Sequence, residues 1–234
     1  MYDKERAKSS VYFTFGISVD CVVFGFDGSH VKVLVIKRGM EPYKNFSAIP
    51  GDLVLEREDP LDAIKRVLNE LTGLKDIYLE QLKAFAGVDR HPLGRVVTIA
   101  YYSLIKIDDY NPNPSSWATD AKWASIEDID EMAFDHFEIF TEALTRLKER
   151  VRLKPIGFEL LPEEFTLAQL QHLYEKLLGK TFDKANFRKK ILGMDLLFPL
   201  EKLQKAVKHR PARMYRFDPS RYADLTKRNF HFEL

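Results

Sequence analysis

The chain has 234 residues, 45% of them hydrophobic, and 36 Lys+Arg against 35 Asp+Glu give a formal net charge of +1. That length holds one large or two modest domains with a real core, and no apolar run approaches the ~20 residues needed to cross a membrane. Cys21 stands alone, which excludes an internal disulfide or a cysteine metal site, and the six histidines show no ligand-like spacing.

The N-terminal MYDKERAKSS has no signal-peptide core, so a soluble cytoplasmic protein is expected. Residues 11–26 are rich in β-branched and aromatic types and predict a strand, Asp27-Gly28 marks a turn, and residues 31–37 predict a second strand. Residues 41–50 read as a loop. From Asp59-Pro60 onward, Leu61, Ile64, Val67, Leu68 and Leu71 recur at helical spacing until Gly73 stops the helix. Residues 77–88 and 95–107 predict strands, 108–120 an exposed loop and 123–130 a Trp-containing closing segment. A helix follows over 135–151, capped by Asp135, with Phe140, Leu144, Leu147 and Val151 on one face.

KPIG at 154–157 punctuates the chain and sets the expected domains at 1–153 and 154–234. Beyond it, residues 165–179 predict a helix with a Thr166/Gln169 capping box. Residues 183–194 predict a second helix capped by Asp183, and 196–217 a hairpin with a basic loop. Charge divides at the same place: residues 151–234 hold 17 Lys+Arg against 10 Asp+Glu, residues 1–150 hold 19 against 25. A basic half of this kind suits a polyanion. Two short helices, a tight turn and a basic hairpin are the parts of a winged helix. Phe187 and Ile191 can anchor the second helix while Lys184, Asn186, Arg188, Lys189 and Lys190 face a major groove. Lys208, Arg210, Arg213 and Arg216 fall in or beside the wing. Arg and Asn pair bidentately with base edges, whereas Lys mostly meets phosphate. A solvated helix end has the same charge run; spacing, hairpin and charge split together favour DNA.

Residues 51–74, GDLVLEREDPLDAIKRVLNELTGL, resemble the Nudix box, which holds divalent metal against a diphosphate. Anchored on Gly73-Leu74, the resemblance puts Glu58 and Arg66 on the family's first Glu and its Arg. It puts Val67 on the next Glu and Glu70-Leu71 on the Glu-Glu pair. Two of three helix carboxylates are then apolar, and one carboxylate holds Mg²⁺ weakly. The expectation is no enzyme, no catalytic residue, no metal and no cofactor, with Glu58, Arg66 and Glu70 as remnants; slow residual hydrolysis with ligands such as Glu56 or Glu58 stays open.

The stretches LVIKRGMEP (34–42), RVLNELTGL (66–74), DRHPLGRVVTIAYYSL (89–104), PIGFELLPEEFTLAQLQHLYE (155–175) and DKANFRKK (183–190) extend the likeness along the chain. Together they resemble the Nudix-related transcriptional regulators of the NrtR/AraR type, nearest the sugar-responsive, arabinose regulator-like branch. The resemblance implies an α/β (α+β) architecture: a Nudix-fold mixed-sheet α/β/α sandwich followed by a winged helix-turn-helix domain. It implies a degenerate Nudix domain that senses a small effector, and a homodimer on a near-palindromic operator at the bacterial nucleoid. Repression of carbohydrate utilisation genes, relieved by a sugar, is the function it implies. Asp52 stands where related regulators often keep a second Gly, which favours a smaller, uncharged effector over ADP-ribose.

A sugar pocket needs converging donors, acceptors and an apolar wall. Lys37, Arg38, Asp89, Arg90, Arg95 and Tyr101 are the candidates, although Asp89 and Arg90 can equally brace a turn. Two other classes stay open: a Nudix hydrolase of a nucleoside diphosphate derivative such as ADP-ribose, and a sugar-phosphate or nucleotide binding protein with no DNA role.

Overall fold

The computed structural model describes residues 15–107, 110–205, 211–228 and 230–234. The chain divides into two compact units, one of residues 1–25 and 32–144, the other of 26–31 and 145–234. The division falls inside a helix and ahead of the boundary expected at 153/154. The last turns of that helix belong with the second unit, where the Leu234 N–H donates to the Arg152 carbonyl at 3.0 Å.

The first unit is built on a seven-stranded sheet: β1 (Gly16–Phe26), β2 (Val31–Arg38), β3 (Ser47–Ala48), β4 (Gly51–Leu53), β5 (Glu80–Phe85), β6 (Val96–Lys106) and β7 (Ala118–Ser125). The order β3-β2-β1-β6-β5 forms its main path, with β4 paired to β1 and β7 to β2. From Val19 to Phe26, β1 is buried without a break, as expected of a strand covered on both faces. On one face Val19, Cys21 and Val23 share a core with Ala63, Ile64, Val67, Leu68 and Leu71 of α1 (Pro60–Thr72). On the other, Phe24 meets Phe140 of α2 (His136–Leu153), ring centroids 6.1 Å apart. This is the α/β/α layering expected from the sequence. Pro60 opens α1, and Gly73 closes it in the left-handed conformation (φ 77°) that glycine adopts without penalty.

Two strands lie where loops were expected. β3 sits within 41–50, and β7 starts at Ala118, inside the Pro-rich stretch 108–120. Both are held by pairing with β2, a tertiary influence that local composition does not report. Asp135, expected to cap α2, turns its carboxylate to Arg90 instead.

The second unit is a winged helix. After a 3-10 turn at Pro155–Leu160 come β8 (Phe165–Thr166), α3 (Leu167–Leu178), α4 (Lys184–Gly193), β9 (Leu197–Leu203) and β10 (Arg213–Phe217). The three strands pair in the order β8-β10-β9. Thr166 and Gln169 form the expected capping box of α3, and the Asp183 carboxylate accepts from the Asn186 N–H to start α4. Leu170, Leu173, Tyr174, Leu177, Phe187 and Ile191 fill the core, with Phe158 stacked on Phe217 at 4.4 Å. A further helix, α5 (Pro219–Lys227), has no buried residue, so no apolar stripe announces it in the sequence. Among the described residues no helix is long and apolar enough to cross a membrane.

Candidate functional site

Two places concentrate chemistry, one in each unit. In the first, a cavity of about 450 Å³ opens beside β1, β4 and the loop before β6. Its back wall is a buried charge network. Asp20, 4% exposed, accepts from the Thr98 hydroxyl at 2.6 Å, with Arg90 Nη2 at 3.4 Å and His136 Nε2 at 3.4 Å. Arg90 places Nε and Nη2 on the two oxygens of Asp135 at 2.8 and 2.7 Å. His136 Nδ1 accepts from the Ile49 N–H at 3.2 Å, which leaves Nε2 to carry the proton toward Asp20. Burial lowers the proton affinity of His136, outweighing the nearby Asp20 and Asp135. Gly51 is obligatory beside this wall: a Cβ there falls 1.8 Å from Asp20 Oδ1.

The front of the cavity is aromatic. Arg38 is buried between Trp117 and Phe134, its guanidinium carbon 4.9 and 4.8 Å from the two ring centroids. Arg38 Nε donates to the Pro42 carbonyl at 2.8 Å. Burial lowers its proton affinity, while Asp52, Asp20 and Glu41 act in the opposite direction. Trp117 Nε1 donates to Asp52 Oδ2 at 3.1 Å. Phe134 also meets Tyr43 at 4.7 Å and stacks on His91 at 5.1 Å.

The sequence candidates separate here. Arg38, Arg90 and Arg95 line this cavity; Lys37, Asp89 and Tyr101 do not. Lys37 alternates to the exposed side of β2, Asp89 points to solvent from its turn, and Tyr101 packs into the core under α1. Asp20, Asp52, His91, Trp117, Phe134 and His136 were not among the candidates. Asp20 carries a legible signal, being the sole charge in the apolar run GISVDCVVFGF; the rest converge only through tertiary packing.

Gly51, Asp52 and Leu53 of the box line this cavity, whereas Glu58, Arg66 and Glu70 lie outside its lining, on α1 and the turn before it. Arg66 Nε and Nη2 grip the two oxygens of Glu58 at 2.7 and 2.9 Å, and Nη1 reaches Glu70 at 3.3 Å. The Arg66 hydrogen bonds hold the Glu58 carboxyl below its usual range. Val67 and Leu71 are buried in the core.

In the second unit, Phe187 and Ile191 bury one side of α4, while Lys184, Asn186, Arg188, Lys189 and Lys190 are all exposed. None of these four cations has a carboxylate partner among the described residues. A groove of about 460 Å³ runs between α4 and the hairpin, lined by Lys184, Arg188, Gln204 and Arg213. Arg216 instead faces Glu163 at 3.5 Å. Lys208 and Arg210 lie outside the described residues.

Known proteins match both units. The NUDIX domain family covers residues 14–143, and the NrtR DNA-binding winged helix domain covers 157–217. The ADPR responsive transcriptional repressor NtrR of Acinetobacter baylyi is 33% identical over 205 residues, 86% of this chain and 81% of its own. The chain belongs to the NrtR-type family of Nudix-related transcriptional regulators. Among solved structures, Shewanella oneidensis NrtR complexed with a 27mer DNA matches with TM-score 0.73 at 28% identity, covering 92% of this chain and 97% of that one. The NUDIX domain of the same NrtR, complexed with ADP ribose, matches with TM-score 0.57 at 26% identity, over 63% of this chain and 99% of that one. This NrtR-type chain is thus a DNA-binding transcriptional regulator with a Nudix fold ahead of its winged helix. The arabinose regulator-like branch finds no support in these relatives.

Proposed function

We propose that this protein is a repressor that binds a near-palindromic operator as a homodimer and leaves it when ADP-ribose, or a closely similar nucleoside diphosphate sugar, fills the first unit's cavity. The observation that carries the DNA half is the α4 surface: four cations with no carboxylate partner among the described residues, and Asn186, exposed over an anchored helix beside a groove that continues to Arg213. Arg188 and Asn186 are suited to base edges, and Lys184, Lys189 and Lys190 to phosphates.

For the effector, the cavity volume suits a small ligand; Arg38, Arg90 and Arg95 line it beside Asp20, Glu41 and Asp52, and Arg38 and Arg95 have no carboxylate partner among the described residues, which favours an anion over a neutral sugar. The relatives respond to or bind ADP-ribose by name, which supports the same choice. Asp52, read as an obstacle to a diphosphate, is occupied holding Trp117 and its neighbour's N–H. A sugar effector and control of carbohydrate genes have no such support. Release requires that the effector bind the DNA-competent and DNA-incompetent states unequally.

A divalent cation does not fit the box residues. Both Glu58 oxygens are committed to Arg66, Glu70 shares the same guanidinium, and Val67 and Leu71 offer no ligand. We therefore read the protein as a regulator without hydrolase activity.

The test is fluorescence anisotropy of a labelled duplex from the gene's own upstream region, at two salt concentrations, with ADP-ribose and a panel of pentoses and hexoses. Tight, salt-sensitive binding released by ADP-ribose alone is expected. Release by a pentose instead overturns the effector. Binding no stronger than to random duplex, together with Mg²⁺-dependent ADP-ribose hydrolysis, overturns the regulator.

A further inference from the structure

We propose that Arg38 is the anion receptor of the cavity, the side chain whose Nη atoms take the phosphate oxygens of the bound effector. The inference rests on the effector reading above and assigns the recognition of its diphosphate to one residue.

The cavity's arginines are not equivalent. Arg90 is spent on Asp135 and Asp20, its side chain 5% exposed, so its charge is already matched inside the wall. Arg95 commits Nη1 to the carbonyls of Ala86 and Gly87 at 2.8 and 2.7 Å and so braces its own loop. Arg38 is different. It is 8% exposed, yet only Nε has a hydrogen-bond acceptor, and no carboxylate contacts it among the described residues. Both Nη groups are left without a partner at the edge of the cavity that Arg38 lines. A guanidinium shielded from bulk water but open to the cavity gains from an acceptor that meets its free donors. The two rings beside it supply π contact but accept no strong hydrogen bond.

The fork is also held in one orientation. Nε is tied to the Pro42 carbonyl, Trp117 is anchored by Asp52, and Phe134 is fixed in a left-handed backbone conformation at φ 55°. That conformation is uncommon for an aromatic residue, and such strain gathers at ligand sites. The Ala133 N–H donating to Ser47 at 2.8 Å helps to hold that segment. A planar fork clamped between two rings, with two adjacent free donors, matches the spacing of phosphate oxygens. Lysine in its place keeps the charge and loses the clamp.

Isothermal titration of the full chain with ADP-ribose and, separately, with inorganic pyrophosphate tests this, using wild type, Arg38→Met, Arg38→Lys and Asp52→Asn. Arg38→Met is expected to weaken both ligands by about 100-fold and Arg38→Lys by about 10-fold. Asp52→Asn keeps an acceptor for Trp117 while removing a negative charge beside the anion, and is expected to tighten pyrophosphate about 3-fold. It reads the same site if Arg38→Met fails to fold. Pyrophosphate binding that depends on Arg38, with no binding of ADP-ribose, supports the receptor and sinks the effector reading. ADP-ribose held equally by wild type and a folded Arg38→Met overturns the receptor and leaves the effector reading intact. Failure of wild type to bind either compound, or weaker pyrophosphate binding by Asp52→Asn, overturns the receptor.

Discussion

The arginine clusters of the first unit and α4 of the second treat charge in opposite ways. In the first, two arginines are matched internally: Arg66 by Glu58 and Glu70, Arg90 by Asp20 and Asp135. On α4 of the second, Lys184, Arg188, Lys189 and Lys190 stand exposed, with no acidic partner among the described residues. A matched charge is part of the scaffold and has little left to offer a ligand. An unmatched one, kept on an anchored helix, is available to an outside anion at the cost of mutual repulsion. The same distinction, applied inside the first cavity, separates Arg38 from Arg90.

The contrast breaks most visibly if α4 is stripped. Replacing Lys184, Arg188, Lys189 and Lys190 together with alanine is expected to weaken operator binding on the order of 1,000-fold or more and to lower the salt slope by about 3. Anisotropy across a salt series measures both, and unchanged binding moves the interface off α4. Next in size is Val67→Glu, which restores a box carboxylate. Because Val67 is fully buried under the sheet, the change is expected to destabilise the fold by about 3 kcal/mol without Mg²⁺-dependent hydrolysis. Denaturant unfolding and a phosphate-release assay read the two halves of that statement. Smaller again is Arg188→Ala, expected to cost roughly 2 kcal/mol of operator affinity and to relax preference at one base pair, with ADP-ribose binding kept. Equal losses on every duplex sequence would reassign Arg188 to the phosphate backbone.

The smallest effect concerns pH. Burial holds His136 below its ordinary value of 6.5. The unfolded chain therefore takes up a proton at a pH where the folded chain does not. Stability from this group is complete above 6.5 and declines as pH falls through it, by at most about 1.4 kcal/mol per unit. His136→Asn, which can still accept from Ile49, is expected to flatten that decline in thermal melts between pH 5 and 7.

Most elements were legible because their signals are local. The Thr166–Gln169 box, Pro60 and Gly73 around α1, and the Phe187/Ile191 spacing are set by a few neighbouring residues. β3 and β7 were not, since their pairing with β2 arises across distant segments. The cavity was legible in part for a similar reason. Arginine types near a motif are visible, and Arg38, Arg90 and Arg95 come together. Which face of a strand or turn each occupies depends on a one-residue register, so Lys37 and Tyr101 point away. Phe134 and His136 reach the cavity from beyond residue 130, a convergence no spacing rule encodes.

Gly51 and Asp20 occupy partnered positions on β4 and β1. With no room for even a methyl group between them, neither position can drift alone: a side chain at 51 expels the carboxylate, and loss of the carboxylate leaves the Thr98 hydroxyl and His136 Nε2 without it and Arg90 with Asp135 alone. Across related chains the two sites are expected to change in concert or to stay fixed, so a comparison of their paired histories can date when this wall was built.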